Sequence, residues 1–164
     1  SAAEVANLLD TSVAAVNSAL QRAREAVRKA TPEQAASPLS DSRDHDVVNR
    51  FVSAWERRDI DALAALLAED VVLRMPPEQV ELSGHRAVAS FFATVPADGR
   101  LDRFQLLITR ANGDPAVAAY LPDNSGRQVP FGLMVLTLAG ASVVTITGFP
   151  APGLFAAFDL PECL

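Results

Sequence analysis

The chain has a single cysteine, Cys163, among its 164 residues. No internal disulfide can form, and a reducing cytoplasm is the natural compartment for such a sequence. Standing next to the end of the chain, that thiol reads as a bystander. Long apolar runs are missing too. No stretch approaches the roughly 18 apolar residues that a membrane helix requires, and no signal peptide opens the sequence, so a soluble, cytoplasmic protein without a membrane partner is expected. Histidine is scarce: His45 and His85 lack carboxylate or thiolate companions at ligand spacing, so no metal site is expected. There is no glycine-rich phosphate loop, and no cofactor is implied.

Apolar residues make up 49% of the chain, enough for a sizeable core. The formal charge of −6 is unevenly placed. Residues 1–30 hold Arg22, Arg24, Arg28 and Lys29 against Glu4, Asp10 and Glu25, a balance of +1 that leaves −7 on residues 31–164. An acidic second part repels DNA, so any duplex contact has to come from the front.

That front reads as a helix, a tight turn and a second helix. Ala2, Val5, Ala6 and Leu9 recur at helical spacing, as do Val13, Val16, Leu20, Ala23 and Val27, so each helix has one side to bury. Asp10 and Thr11 lie at the join, where Asp tolerates a left-handed backbone and the Thr11 hydroxyl is placed to cap the second helix. Opposite the second stripe stand Asn17, Ser18, Gln21, Arg22, Glu25, Arg28 and Lys29, residue types that reach base edges and phosphates from a helix in a groove. A solvated face on an ordinary helical hairpin is the competing reading. The sequence TPEQAASPLSDSR then loses periodicity, making 31–43 a linker between a first segment, 1–30, and a domain at 44–164.

Within that domain, Val47, Val48, Phe51, Val52 and Trp55 line one face of a helix over 44–58, and Ile60, Leu63, Leu66 and Leu67 one face of a shorter helix. Asp44 and Asp59 are the expected caps. VVLRMP (71–76) and QVEL (79–82) predict strands on either side of a Pro-Pro turn, and 84–95 a helix burying Val88, Phe91 and Phe92. Strands are expected near 101–111, 115–121, 127–138 and 142–149, separated by turns at Asn112-Gly113, Asp123-Asn124-Ser125-Gly126 and Ala139-Gly140. Helices first and a meandering antiparallel sheet last indicate an α+β domain. A curved sheet wrapping the helices leaves a conical pocket, for which Trp55, Met75, Phe104, Tyr120, Phe131, Met134 and Phe149 are the candidate lining. A filled core is the alternative.

Catalysis in such a cone needs a carboxylate base paired with a Tyr, Arg or second acid. The last two strands, RQVPFGLMVLTL and SVVTITGF, hold no Asp or Glu, and their threonines, Thr145 and Thr147 among them, cannot act as a base near neutral pH. His85 beside Gly84 reads as a helix cap, Arg74 and Arg110 as paired groups at the rim, Arg86 and Glu81 as scattered charges, and Tyr120 as core with one polar tip that could orient a ligand. No catalytic residue is assigned.

Two resemblances are carried by these residues. The run SAAEVANLLDTSVAAVNSALQRAR resembles the promoter-reading end of region 4 in extracytoplasmic-function (ECF) sigma factors of the sigma-70 family. It differs at Asp10, where the family usually has Gly at the turn, and at Ala19, where many members carry a basic residue. The resemblance implies a recognition helix from Ser12 to Arg24 for the minus-35 element, with Ser12, Asn17, Ser18, Gln21, Arg22, Arg24 and Arg28 at the DNA. FVSAWERRDIDALAALLAEDV (51–71), RMPP (74–77), GHRAVASFF (84–92), RANGDPA (110–116) and GLFAAFDLP (153–161) are similar to the SnoaL-like branch of the nuclear transport factor 2-like superfamily.

One subset of ECF sigma factors carries a SnoaL-like domain behind region 4. The loop Asp123-Asn124-Ser125-Gly126-Arg127 resembles the DGGGR motif of that appended domain and is the expected regulatory contact, through Asp123, Asn124, Gly126 and Arg127. The implied function is promoter-specific initiation with RNA polymerase core enzyme and promoter DNA as partners, a cone acting as built-in regulator, and a chain that is the C-terminal part of such a factor. Two rivals keep the cone: a small-molecule isomerase, cyclase or hydrolase, and a non-catalytic module that binds a small apolar ligand or forms a homodimer through its sheet.

Overall fold

The computed structural model describes residues 1–30 and 42–164, leaving aside the side chains of 26–30 and 42–43. The chain divides into two compact units, Ser1–Ser37 and Pro38–Leu164. Residues 31–41, most of the expected linker, lie outside the described residues.

The first unit holds α1 (Ala2–Leu8) and α2 (Val13–Ala30). Ser1 and Glu4 form a capping box at the start of α1. Just past its end Asp10 takes the left-handed conformation, φ 48°, and the Thr11 amide bonds the Ala6 carbonyl at 2.9 Å, the closing bond of a Schellman end. The expected Thr11 cap is corrected here. Ser12 caps α2, its hydroxyl accepting the Ala15 amide at 3.1 Å, because the Thr11 amide is already committed to closing α1. The two stripes are only partly covered: Ala6 and Val16 are buried, whereas Val5, Leu9, Val13 and Leu20 stay exposed. Two helices in contact along one line shield only the residues where they touch, which is why so small a unit buries so little.

The second unit begins with α3 (Ser42–Glu56) and α4 (Ile60–Leu66). Because α3 opens at Ser42, Asp44 lies in its first turn and not at the cap, where its charge still favours the helix dipole. Asp59 does cap α4, accepting the Ala62 amide at 2.9 Å. Leu67, expected on that helix, is the first residue of β1 (Leu67–Arg74), followed by β2 (Glu81–Ser83), α5 (His85–Thr94), β3 (Gln105–Ala111), β4 (Asp114–Pro122), β5 (Gln128–Ala139) and β6 (Ser142–Phe149). Leu101–Arg103, expected in a strand, form a 3-10 turn instead.

The six strands form one curved sheet in the order β2-β1-β6-β5-β4-β3, antiparallel throughout except for the parallel pair β1 and β6. Asn112 and Gly113, at φ 53° and 93°, make a two-residue hairpin of the type whose twist matches that of its strands. Side chains alternate between two cores. Val117, Ala119, Met134, Leu136 and Ile146 face the helices with Phe51, Trp55, Leu63 and Phe92. On the other face Ala116, Ala118, Tyr120 and Leu133 pack with Phe155 from the C-terminal turn Pro152–Phe158.

Candidate functional site

The helix-facing core is not completely filled. Between the sheet and α3 and α5 lies a cavity of about 150 Å³, lined by Trp55 from α3, Phe91 and Phe92 from α5, Pro96 and Ala97 from the turn behind it, and Leu73, Met75, Phe104, Ala119, Met134 and Ile146 from β1 onward. Its position follows from local sequence. Gly132 and Gly148 line it without a side chain, and a Cβ at Gly132 would meet the Phe149 carbonyl oxygen at 2.7 Å, so only glycine admits this approach of β5 to the end of β6. Beside Gly132 the pairing of β4 with β5 jumps from Ala119↔Gly132 to Tyr120↔Pro130, leaving Phe131 as the extra residue of a bulge. The bulge turns Phe131 toward the cavity, where it is 37% exposed and meets Phe104 edge to face at 5.1 Å between ring centres.

Six of the seven residues expected to line a pocket do so: Trp55, Met75, Phe104, Phe131, Met134 and Phe149. Tyr120 is the correction. It is fully buried on the opposite face of the sheet, edge-on to Phe155, with its hydroxyl donating to the Pro161 carbonyl at 3.0 Å, so it orients the C-terminal segment and not a ligand. Burial, and the neighbouring Cys163, push its hydroxyl above the ordinary tyrosine range.

The other expected catalytic candidates also lie elsewhere. Arg74 and Glu81 pair at 2.8 Å across β1 and β2, both more than half exposed. Arg110 bonds the Gly113 carbonyl and has no carboxylate partner among the described residues, which corrects its expected ion pair. Gly84, not His85, is the cap position of α5, with no side-chain bond, and Arg86 is exposed. Thr145 and Thr147 sit in register with Thr137 and Val135, away from the cavity that Ile146 and Gly148 line. Among the described residues, no lining side chain is ionisable. The indole Nε1 of Trp55 is buried and has no hydrogen-bond partner among the described residues.

Asp123 organises the loop before β5. One carboxylate oxygen accepts from the Ser125 hydroxyl at 2.7 Å, the Ser125 amide at 2.8 Å and the Arg127 amide at 3.1 Å, and the other lies 3.6 Å from the Arg127 guanidinium. The Ser125 hydroxyl and amide, then Arg127, hold the carboxyl below the usual aspartate range. The loop presents Asn124, Ser125, Gly126 and Arg127 to solvent. Sequence reasoning singled out this loop but missed its order, although an Asp two residues before a Ser and four before an Arg is a legible Asx pattern.

On the first unit Ser12, Asn17, Ser18, Gln21, Arg22 and Arg24 are all exposed, and Gln21 reaches Glu25 at 3.4 Å. The side chain of Arg28 lies outside the described residues.

Relatives match both resemblances. The ECF RNA polymerase sigma factor SigG of Mycobacterium tuberculosis, in strains CDC 1551 and H37Rv, is 35% identical over 170 aligned positions covering 99% of this chain. The chain spans 44% of the length of these curated relatives. The crystal structure of the M. tuberculosis extracytoplasmic-function sigma factor SigJ aligns with a TM-score of 0.52 at 25% identity, over 98% of this chain and 56% of that one. A structure from Kribbella flavida with a provisional ketosteroid-isomerase assignment aligns at 0.51 and 25%, over 65% of this chain and 76% of that one. The α+β fold of the second unit is that of the nuclear transport factor 2-like proteins. Residues 48–148, more than half of the sequence, match the SnoaL-like domain, and the chain belongs to that family.

Proposed function

We propose that this chain is the promoter-reading and regulatory portion of an ECF sigma factor, acting in the cytoplasm with RNA polymerase core enzyme. The observation that carries the reading is the similarity to SigG along 99% of the chain, through the two-helix unit as well as the SnoaL-like domain. The exposed polar side of α2 suits the role. Asn17, Ser18, Gln21 and Arg22 are assigned to bases and nearby phosphates of the minus-35 element, and Ser12, Arg24 and Arg28 to the backbone. Such a helix enters the major groove with its first turns toward the base edges.

In this reading the SnoaL-like domain is a built-in regulator. Its route of action is a contact through the ordered loop Asp123–Arg127, made in one state of the factor and not in another. A ligand in the cone matters only to the extent that it binds those states unequally. The domain boundaries that go with this reading are 1–30, 31–43 and 44–164.

The isomerase-like neighbour favours a second reading, turnover of a small molecule in the cone. Against it stands a lining without an ionisable side chain, since proton abstraction needs a base within hydrogen-bond reach of its substrate.

The test replaces the matching part of SigG by this chain, selects binding sites from random duplex DNA in the presence of core enzyme, and transcribes from the enriched sites. Enrichment of one upstream element and transcription from it are expected. Arg22→Ala should relax the selected sequence, and Arg24→Ala should weaken all sites alike and flatten the log–log salt dependence by about 0.9. Absence of both enrichment and transcripts would overturn the assignment.

A further inference from the structure

We propose that the outer edge of β3 pairs with the same edge of a second copy of this chain, antiparallel and centred on Ile108, joining two six-stranded sheets into one. The inference goes beyond the sigma-factor reading and does not depend on it.

An open sheet has two edges, and each presents backbone groups that another strand can take up. The two edges differ here. β2 is three residues long, and its Glu81 is paired with Arg74 of β1. Short, charged edges of this kind discourage pairing. β3, QLLITRA, is seven residues long, carries no Pro, Lys, Asp or Glu, and runs beside β4 without a bulge. Its side chains from Leu106 to Arg110 are only half-buried, so solvent reaches the strand along its length.

The hairpin fixes which backbone groups face outward. The two-residue turn Asn112-Gly113 closes on a bonded pair, Ala111 with Asp114, and bonding then alternates along the ladder. Thr109, Leu107 and Gln105 therefore turn their N–H and C=O groups to β4. Leu106, Ile108 and Arg110 turn theirs away from it, and these groups have no backbone partner among the described residues.

Symmetry names the occupant. The outward residues are spaced evenly about Ile108, so an antiparallel second copy presents the same three in reverse order. Ile108 then faces its own counterpart, Leu106 faces the other copy's Arg110, and every outward donor meets an outward acceptor. Leu107 meets Thr109 on the opposite side of the strands. Such aliphatic and β-branched pairs are favourable, and no like charges lie directly opposite. At each end the turn Leu101–Arg103 of one copy meets the hairpin tip of the other, which sets the exposed Arg103 toward the exposed Asp114. Both are outside the ion pairs formed among the described residues. Pairing through the outer face of the sheet is obstructed instead, because Phe155, Phe158 and Leu160 already pack on β4 and β5 there.

A contact of one strand pair falls below the roughly 1,200 Å² of standard interfaces, so the dimer is weak, with a Kd on the order of 0.1 mM. Sedimentation equilibrium of the full chain between about 10 µM and about 1 mM should show a monomer–dimer equilibrium of that strength. Over the same range the amides of Leu106, Ile108 and Arg110 should exchange several-fold more slowly at the high concentration, while those of Leu107 and Thr109, bonded to β4, exchange slowly throughout. Ile108→Lys and Ile108→Glu place like charges on the axis and should each weaken pairing about tenfold or more. Mixed one to one, the two variants should recover to within about threefold of the natural chain, which also certifies that both fold. A chain that stays monomeric at the high concentration would overturn the proposal. So would association that leaves the three outward amides unchanged, which would place the contact elsewhere, or full protection of those amides in dilute solution, which would mean that another segment already holds the edge. Two folded variants that fail to recover on mixing would overturn the axis at Ile108.

Discussion

Gly132 and Gly148 stand on neighbouring strands and line the same cavity, yet a methyl group has opposite consequences at the two. At Gly132 it would lie 2.7 Å from the Phe149 carbonyl oxygen, a backbone atom that moves only with β6. At Gly148 it would meet the Met75 side chain at 3.5 Å, an ordinary contact. Gly132→Ala should therefore cost roughly 1–3 kcal/mol in urea unfolding, and Gly148→Ala should be neutral or stabilising by up to about 1 kcal/mol. Asp123 supports a second prediction at this scale. Its folded pKa is depressed, so the order it gives the loop is present above the ordinary aspartate value, about 3.9, and is lost as pH falls through the lower folded value. The amide resonances of Ser125 and Arg127 should titrate with a midpoint below about 3.9, and Asp123→Ala should abolish that titration. Six pocket residues were legible because they are large and apolar on predicted strands and helices. Tyr120 was not. β4 is buried on both faces, so its apolar run carries no mark of which residues face the helices, and the bulge beside it interrupts the alternation that would decide.

At the scale of elements, caps and turns decide where each helix stops. Asp59 joins α3 to α4: its amide closes onto the Ala54 carbonyl at 2.8 Å while its carboxylate holds the first turn of α4. Asp59→Ala removes the cap and should cost about 1 kcal/mol. The urea midpoint should fall with an unchanged slope, since the surface exposed on unfolding is the same. A changed slope would mean that α4 frays in the native state. Elements with a strong period, such as α3 and β5, were readable from sequence to within a few residues. The misplacements fall where two neighbouring residues compete for one role. Thr11 and Ser12 both carry a cap hydroxyl, and the choice is made by the Thr11 amide, which is spent on the end of α1. Leu67 continues the helical stripe of α4 as well as it begins β1, and it is pairing with Val143 on β6 that takes it into the sheet. Such pairing joins residues far apart in the chain and leaves no local trace.

For the whole molecule the decisive quantity is how charge is distributed along the sequence. Residues 1–30 carry +1, whereas residues 44–164 hold fifteen acidic against nine basic side chains, a balance of −6. Under the proposed reading, in which the front meets DNA, the cone is expected to act on that encounter in two ways that salt separates. Its field repels the duplex over a Debye length, about 30 Å at 0.01 M salt and about 10 Å at 0.1 M. A docked contact through the Asp123–Arg127 loop is instead short-ranged and screened much less. In the SigG fusion, deleting residues 44–164 should therefore speed association with the selected promoter most at low salt, with the gain shrinking as salt is added and levelling at a residual value. Asp123→Ala leaves most of the cone's charge in place, so it should reproduce the residual part and little of the rest. Stopped-flow association rates between 0.01 and 0.5 M salt resolve the two components. A deletion that left the rate unchanged across that range would remove the cone from promoter access, by field and by contact alike.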